Sequence, residues 1–371
     1  MVYPDSVDLP TKKVNTSSRQ VQNVQAKIQL ETNYTDSSHV NYFIQALNNY
    51  LFTDDDVTAN VFSMDANFNY FFEKEFIGFD SRLEHTANTG TLDSLNHFVV
   101  KFNPWVGAFG KKWQVKVGLN TYFDQSDEDY HLYPNVSLHY NIIDYILIPY
   151  AEFSGTYKQH SYYTIFSENN FIIPGLYVRP TSYDKIITGG LRGNISSKIG
   201  FNISASYLQI KDMYYYVNDT NSLLDEKFNV VYDDVDMQHF KAEISYKRSE
   251  KLNFLLKAQY SEFSLKNEKK PWHTPKLEGS FTARYQLRDK FVFSAEMIAK
   301  SERYAKILTN AGFDEKKLDA LIDLNLGLEY RYTKNMSAFI YLHNLGSAKY
   351  YEWNQYPTHR FNFMAGVSYL F

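Results

Sequence analysis

Arg360-Phe361-Asn362-Phe363-Met364-Ala365-Gly366-Val367-Ser368-Tyr369-Leu370-Phe371 closes the chain. Successive side chains of a strand point to opposite faces. Phe361, Phe363, Ala365, Val367, Tyr369 and Phe371 therefore share one face, and Asn362, Met364, Gly366, Ser368 and Leu370 share the other. One face is wholly apolar and aromatic, and the last residue is part of it. Many outer-membrane barrels end this way. The stretch assigns a membrane to a chain whose mean hydropathy is negative.

The same two-residue period recurs along the 371 residues. Val24, Ala26, Ile28 and Leu30 alternate with Gln25, Lys27, Gln29 and Glu31. Phe62, Met64, Ala66, Phe68 and Tyr70 alternate with Ser63, Asp65, Asn67 and Asn69. Trp113, Val115, Val117 and Leu119 oppose Gln114, Lys116 and Asn120. The pattern returns at Phe201 to Tyr207, Phe240 to Tyr246, Leu252 to Tyr260, Leu277 to Tyr285 and Ile322 to Tyr330. Each segment is about 9–13 residues, the length at which a tilted strand spans a bilayer. Soluble strands are typically about 5–6 residues, which argues against a soluble sandwich or β-helix.

Composition agrees. Aromatics make up 17% of the chain, with 32 Tyr and 28 Phe, as aromatic girdles at both rims of a barrel require. No run reaches the roughly 18 apolar residues of a membrane helix. The best, Ile142 to Phe153, is interrupted by Asp144, Pro149 and Glu152. Cysteine is absent, and a barrel held by its strand ladder needs no disulfide. A net charge of -4 gives no reason to expect nucleic acid.

Short polar turns at 72–75, 141–144, 196–198, 248–251, 287–290 and 332–335 alternate with long connections near 87–96, 125–133, 158–182, 213–236, 264–274, 301–320 and 344–358. Barrels have short periplasmic turns and longer external loops. The alternation predicts an all-β, antiparallel up-and-down transmembrane barrel of about 16–18 strands, with Phe371 in the periplasm. Counting back from Phe371 gives about seventeen strands, the first near 24–34. Bacterial single-chain barrels have an even number. Met1-Val-Tyr-Pro-Asp has neither a basic n-region nor an apolar h-region. Both observations lead us to expect sequence upstream of residue 1. Residues 1–23 read as a lead segment and 24–371 as the barrel. Residues 302–320, with Phe313, Leu318 and Leu321 on one potential face, read as a short helix in an external loop.

Leu318-Asp-Ala-Leu-Ile-Asp-Leu-Asn-Leu-Gly-Leu-Glu-Tyr-Arg-Tyr, then Asn344-Leu-Gly-Ser-Ala-Lys-Tyr-Tyr-Glu-Trp-Asn-Gln-Tyr-Pro357, then the closing strand, resemble the final three strands of TonB-dependent receptor barrels, especially those of Bacteroidota. Asn103-Pro-Trp105, Pro134 to Tyr140 and Ser167-Glu-Asn-Asn-Phe171 resemble a plug-less relative. The resemblance implies an outer-membrane barrel in nutrient or solute uptake, acting with a surface lipoprotein. Residues 1–23 match neither a plug domain nor a TonB box. The alternative is an accessory subunit of a larger outer-membrane complex, for barrel assembly or surface export.

Candidate residues are few. The closing strand, through Phe361, Phe363, Val367, Tyr369 and Phe371, is a recognition signal for the barrel-assembly machinery, which captures strands at an open edge. Trp353 and Tyr356 in one loop, and Tyr162, Tyr163 and Phe166 in another, are candidate ligand or partner aromatics. Tyr214-Tyr-Tyr216 reads as girdle. Asp54-Asp-Asp56, Asp127-Glu-Asp129 and Asp233-Asp-Val-Asp236 lack calcium-loop spacing and read as solvated faces or lipopolysaccharide contacts. His85, His97, His131, His160 and His239 lie near strand ends or loops with no hydrolase motif beside them, so no catalytic residue, cofactor or metal is expected. Lys116, Asn120, Glu243, Lys257, Arg284, Glu296, Lys300, Asp323, Glu329 and Arg331 face inward, a mixed-sign lumen with no single-sign selectivity ring.

Overall fold

The structure, a computed structural model, describes residues 20–32, 39–54, 57–90, 96–125, 129–221, 226–249, 251–309 and 312–370. The lead residues 1–19, Asp55, Asp56, Asp127, Glu128 and Phe371 lie outside the described residues.

Seventeen strands form one sheet. They are β1 (Val21–Glu31), β2 (Asn41–Thr53), β3 (Val57–Phe71), β4 (Glu75–Gly90), β5 (His97–Phe109), β6 (Trp113–Asp124), β7 (Asp129–Tyr140), β8 (Ile148–Lys158), β9 (Thr181–Ser196), β10 (Ile199–Asn218), β11 (Phe228–Arg248), β12 (Leu252–Leu265), β13 (Leu277–Leu287), β14 (Phe291–Lys300), β17 (Leu321–Arg331), β18 (Met336–His343) and β21 (Asn362–Tyr369). Each pairs antiparallel with the next wall strand in the chain. The remaining elements sit in loops: helix α1 (Tyr162–Glu168), the hairpin of β15 (Arg303–Thr309) and β16 (Gly312–Leu318), and the small hairpin of β19 (Tyr351–Trp353) and β20 (Tyr356–Pro357).

The periodicity of the sequence becomes the two faces of this wall. Val24, Ile28, Phe62, Met64, Val117, Leu119, Ile203, Phe240, Ile244, Leu256, Ile322 and Val367 all stand exposed on one side. That is the lipid-facing side of a membrane wall. On the other side Arg82 bonds Asp65 at 3.1 Å and Glu84 at 2.7 Å. Lys257 faces Glu243 at 3.5 Å, and Arg331 meets Glu329 at 3.0 Å. The inner face is thus of mixed sign and internally paired.

The sheet curls. Leu51 of β2 and Val57 and Ala59 of β3 share a buried cluster with Phe228 and Val230 of β11. Eight strand spacings of about 4.8 Å separate β3 from β11, roughly 38 Å on a flat sheet. The helix between them, α1, is only about 10 Å across. Side chains so distant along the ladder meet only if the wall rolls up.

Two expectations are corrected. Residues 302–320 form the hairpin β15–β16, not a helix. Arg303 is opposite Leu318, and Gly312, at φ 112, lies in the turn. Arg303, Ala305 and Leu318 are buried while Phe313 is exposed, so a two-residue period outweighs the helical spacing of Phe313, Leu318 and Leu321. The helix among the described residues lies instead in the 159–180 loop. The connection expected near 213–236 is also far shorter. Tyr214↔Tyr232, Tyr215↔Val231 and Tyr216↔Val230 continue the ladder to Asn218↔Phe228, because aromatic and β-branched cross-strand pairs favour it.

The wall predicts a directional cost. Ile203→Arg, on the apolar face, should cost about 2–4 kcal/mol at mid-membrane, and its neighbour Ser204→Arg, on the wet face, much less. Urea unfolding in phospholipid vesicles measures both.

Candidate functional site: the capped mouth

The loops at one end of the wall interlock. Six of the turns at the other end (72–74, 110–112, 197–198, 249–251, 288–290 and 332–335) are short.

The centre of the cap is the overlong hairpin of β10 and β11. Lys211 and Asp212 form a bulge, and Asp212 sits at φ 51. An extra residue on one strand shifts the alternation by one. Beyond the bulge, Tyr214, Tyr216, Phe228, Val230 and Tyr232 share one face, and Met213, Tyr215, Val217 and Val231 the other.

The 159–180 loop covers the first face. Helix α1 begins at Ser161, whose Oγ accepts from Thr164 N–H at 3.2 Å, satisfying a donor that a helix start leaves unpaired. Tyr162, Ile165 and Phe166 are buried. Tyr216 OH donates to Ile165 O and lies 2.9 Å from Glu168 Oε2, and Tyr214 OH donates to Glu168 at 2.7 Å. Burial, with Glu168 adding, pushes the pKa of both tyrosines up, so they stay protonated and remain donors. The loop continues along β11: Phe228 N–H donates to Phe171 O, and Ile173 N–H to Phe228 O, both at 2.9 Å.

The last loop closes the cluster. The Tyr356 ring stacks on Phe171 at 3.6 Å between centroids, and Trp353 packs edge-on to Tyr216 at 4.7 Å. Tyr356 OH donates to Glu226 O. Arg303 is 1% exposed and donates to the carbonyls of Tyr351 and Glu352.

The second face is packed by Trp272 and by Tyr304 of β15. Trp272 Nε1 donates to Glu268 at 2.8 Å, and Glu268 pairs with Lys306 at 2.9 Å. Asp233 accepts from the N–H groups of Asn267 and Glu268 at 2.9 and 2.7 Å. Part of the expected acidic cluster is therefore a loop anchor, while Asp234 pairs with Lys266 at 3.0 Å.

His273 sits where these pieces converge. Its Nδ1 is 2.9 Å from Tyr216 O, and Asn354 N–H donates to its Nε2 at 3.3 Å. The carbonyl can only accept, so Nδ1 carries the proton and the ring is neutral. Burial, opposed by the Tyr216 carbonyl and helped by the Arg303 cation, lowers its pKa to about 4. Burial lowers His160 to about 4 as well, with Lys158 adding. His160 Nε2 lies 3.0 Å from Thr181 Oγ1.

All five loop aromatics anticipated from the sequence meet here. Tyr162 and Phe166 are buried in the cluster, and Tyr163, Trp353 and Tyr356 pack half-buried against it. Tyr163 OH accepts from Asn23 of β1 at 3.3 Å. Tyr214-Tyr-Tyr216 belongs to the cap rather than to a girdle, since Tyr215 and Tyr216 are buried in it. Sequence reasoning missed His273, Arg303, Glu168 and Trp272. His273 and Trp272 share the motif Pro271-Trp-His-Thr274, a dense polar-aromatic run that could have marked a buried loop. Phe363, Val367 and Tyr369 stand exposed on β21, and Phe361 just before it. Among the inward residues, Asn120 donates to Gly155 O, Lys300 pairs with Glu352 at 2.6 Å, and Asp323 accepts from Tyr350 OH. His239 lies 2.8 Å from Ser261 Oγ, and His131 stacks on Tyr157. No group of three or more His, Asp or Glu side chains among the described residues is placed to hold a metal ion.

A curled antiparallel meander with an apolar outside, a charged inside and interlocked loops at one end defines a transmembrane β-barrel wall. No family model matches the sequence, and no curated protein matches it either. Solved structures do. The chain is similar to the FrpB iron transporter from Neisseria meningitidis, with a TM-score of 0.67 and 11% identity over 94% of this chain and 63% of that one. It is also similar to the pyoverdine outer membrane receptor FpvA from Pseudomonas aeruginosa PAO1, with a TM-score of 0.66 and 10% identity over 95% and 62%. The copper transporter OprC gives 0.64 and 12% over 94% and 66%. At such identities the likeness is one of fold. The chain spans about six-tenths of the length of these neighbours.

Two outcomes follow for the cap. Tyr216→Phe removes a hydroxyl that ties α1 to β10 and leaves Ile165 O and Glu168 a donor short. It should destabilise the cap by about 1–3 kcal/mol, read as faster amide exchange across 161–173 with the wall unchanged. For the histidines, the unfolded pKa near 6.5 exceeds the folded value of about 4. Between these values the unfolded loops bind more protons, so cap stability falls as pH drops from about 6.5 to 4. Exchange across 161–173, corrected for intrinsic rates, should be faster at pH 5 than at pH 7. A His160→Gln, His273→Gln variant should narrow that difference.

Proposed function

We propose that this chain forms the wall and the outer gate of an outer-membrane receptor-like barrel for nutrient or solute uptake. In this reading the interlocked loops, rather than a folded plug, close the mouth of the wall. The observation that carries it is the buried cluster joining β2 and β3, α1, the β10–β11 hairpin and the 344–360 loop across the mouth. A structural wall alone has no need of loops that meet over its lumen. Three further points support the reading. The fold is shared with a pyoverdine outer membrane receptor, a copper transporter and an iron transporter. The inner face is polar and paired. Aromatic surface is concentrated at the entrance, where a solute with rings or apolar groups would first be met. The capped end faces the outside and the short turns face the periplasm, as is usual for such barrels. Lipopolysaccharide then surrounds the capped rim, and a surface lipoprotein is the natural partner for the loops.

A second reading, an accessory subunit of a larger outer-membrane complex, is favoured by one feature. Seventeen strands is an odd number, so β1 and β21 run in the same direction. Antiparallel closure between them takes an odd number of further strands. Those strands come from the same polypeptide or from a partner, and the closing segment that carries Phe361, Phe363, Val367, Tyr369 and Phe371 is what the barrel-assembly machinery would engage during insertion.

The experiment is solute flux through the full chain in liposomes. The wild type should pass small sugars slowly, and a Trp353→Ala, Tyr356→Ala variant should pass them several-fold faster. Equal flux from a folded variant overturns the loop gate. Purification from native membranes at endogenous level separates the two readings: a stable stoichiometric complex that persists without any solute favours the subunit.

A further inference from the structure

One short turn is unlike the rest. The connection from β7 to β8 reads Asn141-Ile-Ile-Asp-Tyr-Ile-Leu147, whereas the turns after β3, β5, β9, β11, β13 and β17 carry Lys at 74, 111, 112, 198, 251, 290 and 334. Ile142, Ile143 and Ile146 are each about half exposed, and Tyr145 is 79% exposed. Exposed isoleucines in water need a reason, because each leaves apolar area hydrated that burial would stabilise.

The turn is also held in a definite place. Ile142 N–H donates to Leu147 O, and Leu147 N–H to Ile143 O. Tyr145 takes φ 63, and its carbonyl accepts from both the N–H and the side-chain Nδ2 of Asn194, at 2.9 and 3.0 Å. These bonds fold the turn against β9. There its backbone crosses Gly193 so closely that a Cβ on that residue would lie 2.0 Å from Ile146 O. Residue 193 shares a strand face with Ile187 and Leu191, which are exposed on the lipid side of the wall. The turn is therefore laid over the outer face of the barrel, not into the lumen. Ile142, Ile143, Tyr145 and Ile146 extend the apolar band beyond the strand ends.

We propose that the 141–147 turn is a membrane anchor, seated in the headgroup and acyl boundary of the leaflet at the short-turn end. Its occupant is phospholipid. The patch adjoins the lipid-facing wall at Gly193, on which reading the proposal rests. The composition fits that depth: isoleucines for the upper acyl region, a tyrosine whose ring and hydroxyl suit the interface, and one carboxylate, Asp144, that requires headgroup rather than hydrocarbon. Gly193 is the residue that permits the seating, since any side chain there would lift the turn off the wall.

The chain has no cysteine, so single-cysteine variants report cleanly. Ile143→Cys, Leu191→Cys and Lys74→Cys would each be labelled with a polarity-sensitive fluorophore in the full chain, reconstituted in phosphatidylethanolamine and phosphatidylglycerol vesicles with or without brominated lipid. Leu191 is the wall reference and Lys74 the ordinary-turn reference. The probe at 143 should be blue-shifted and quenched several-fold more than the probe at 74. Quenching at 143 no greater than at 74, with 191 quenched, overturns the anchor and leaves the wall intact. No quenching at 191 overturns the wall itself, and the anchor with it. A probe at 143 that is wet in vesicles but protected from maleimide in native envelopes assigns the turn to a protein partner instead. Adding Gly193→Leu to Ile143→Cys should reduce the quenching at 143 while leaving folding, read by heat-modifiable migration, in place.

Discussion

A backbone N–H or C=O in hydrocarbon finds no water, and each one left unpaired costs several kcal/mol. Strands can enter a bilayer only when their neighbours satisfy every such group. That single constraint dictates the continuous antiparallel ladder from β1 to β21, its curling, and the sorting of side chains into an apolar outside and a polar inside. It also dictates where irregular structure occurs. The bulge at Lys211–Asp212, the helix α1 and the two small hairpins all lie in the cap, where loop carbonyls and amides find partners in one another.

The cap obeys the opposite logic. Its apolar side chains are hidden from water rather than shown to lipid, so its stability is that of an ordinary hydrophobic core. Many of the polar groups inside it are matched, while Arg303 Nε, His160 Nδ1, Asn169 Nδ2 and Asn354 Oδ1 are buried without a partner among the described residues. Tyrosine hydroxyls meet carbonyls or Glu168, Arg303 meets two carbonyls, and His273 uses one nitrogen as donor and one as acceptor. A core built this way is rigid while all its partners are present. It is sensitive to any change in protonation or to the loss of one hydroxyl. Such a cluster can loosen without unfolding the wall beneath it.

Much of the wall was legible because its period is two and its outer face is uniform. The registers Phe62-Met64, Val117-Leu119, Ile203-Ala205 and Phe361-Phe371 each gave the face directly, and the alternation of short and long connections gave the order of turns. The cap was legible only as a collection of aromatics. Trp353, Tyr356, Tyr162, Tyr163 and Phe166 could be named, but they come from loops nearly two hundred residues apart, and nothing local says that they touch. The failures have the same origin. Residues 302–320 carry a helical spacing and a strand spacing at once, and burial of Arg303 against the last loop decided for the strand. Tyr214 to Tyr216 look like a girdle in isolation, and only the bulge before them turns two of their rings into the cap.

The sequence by itself determined the class of wall, its outward face, the alternation of its connections and a strand number near seventeen, because lipid demands the same alternation of every strand wherever it sits. The tertiary structure alone decided that loops interlock at one end of the wall, which side chains join them, and that one apolar turn lies against the outside at Gly193. Those outcomes depend on which distant loops arrive at the same point when the sheet rolls up, and curvature is a property of the whole ladder that no single segment records.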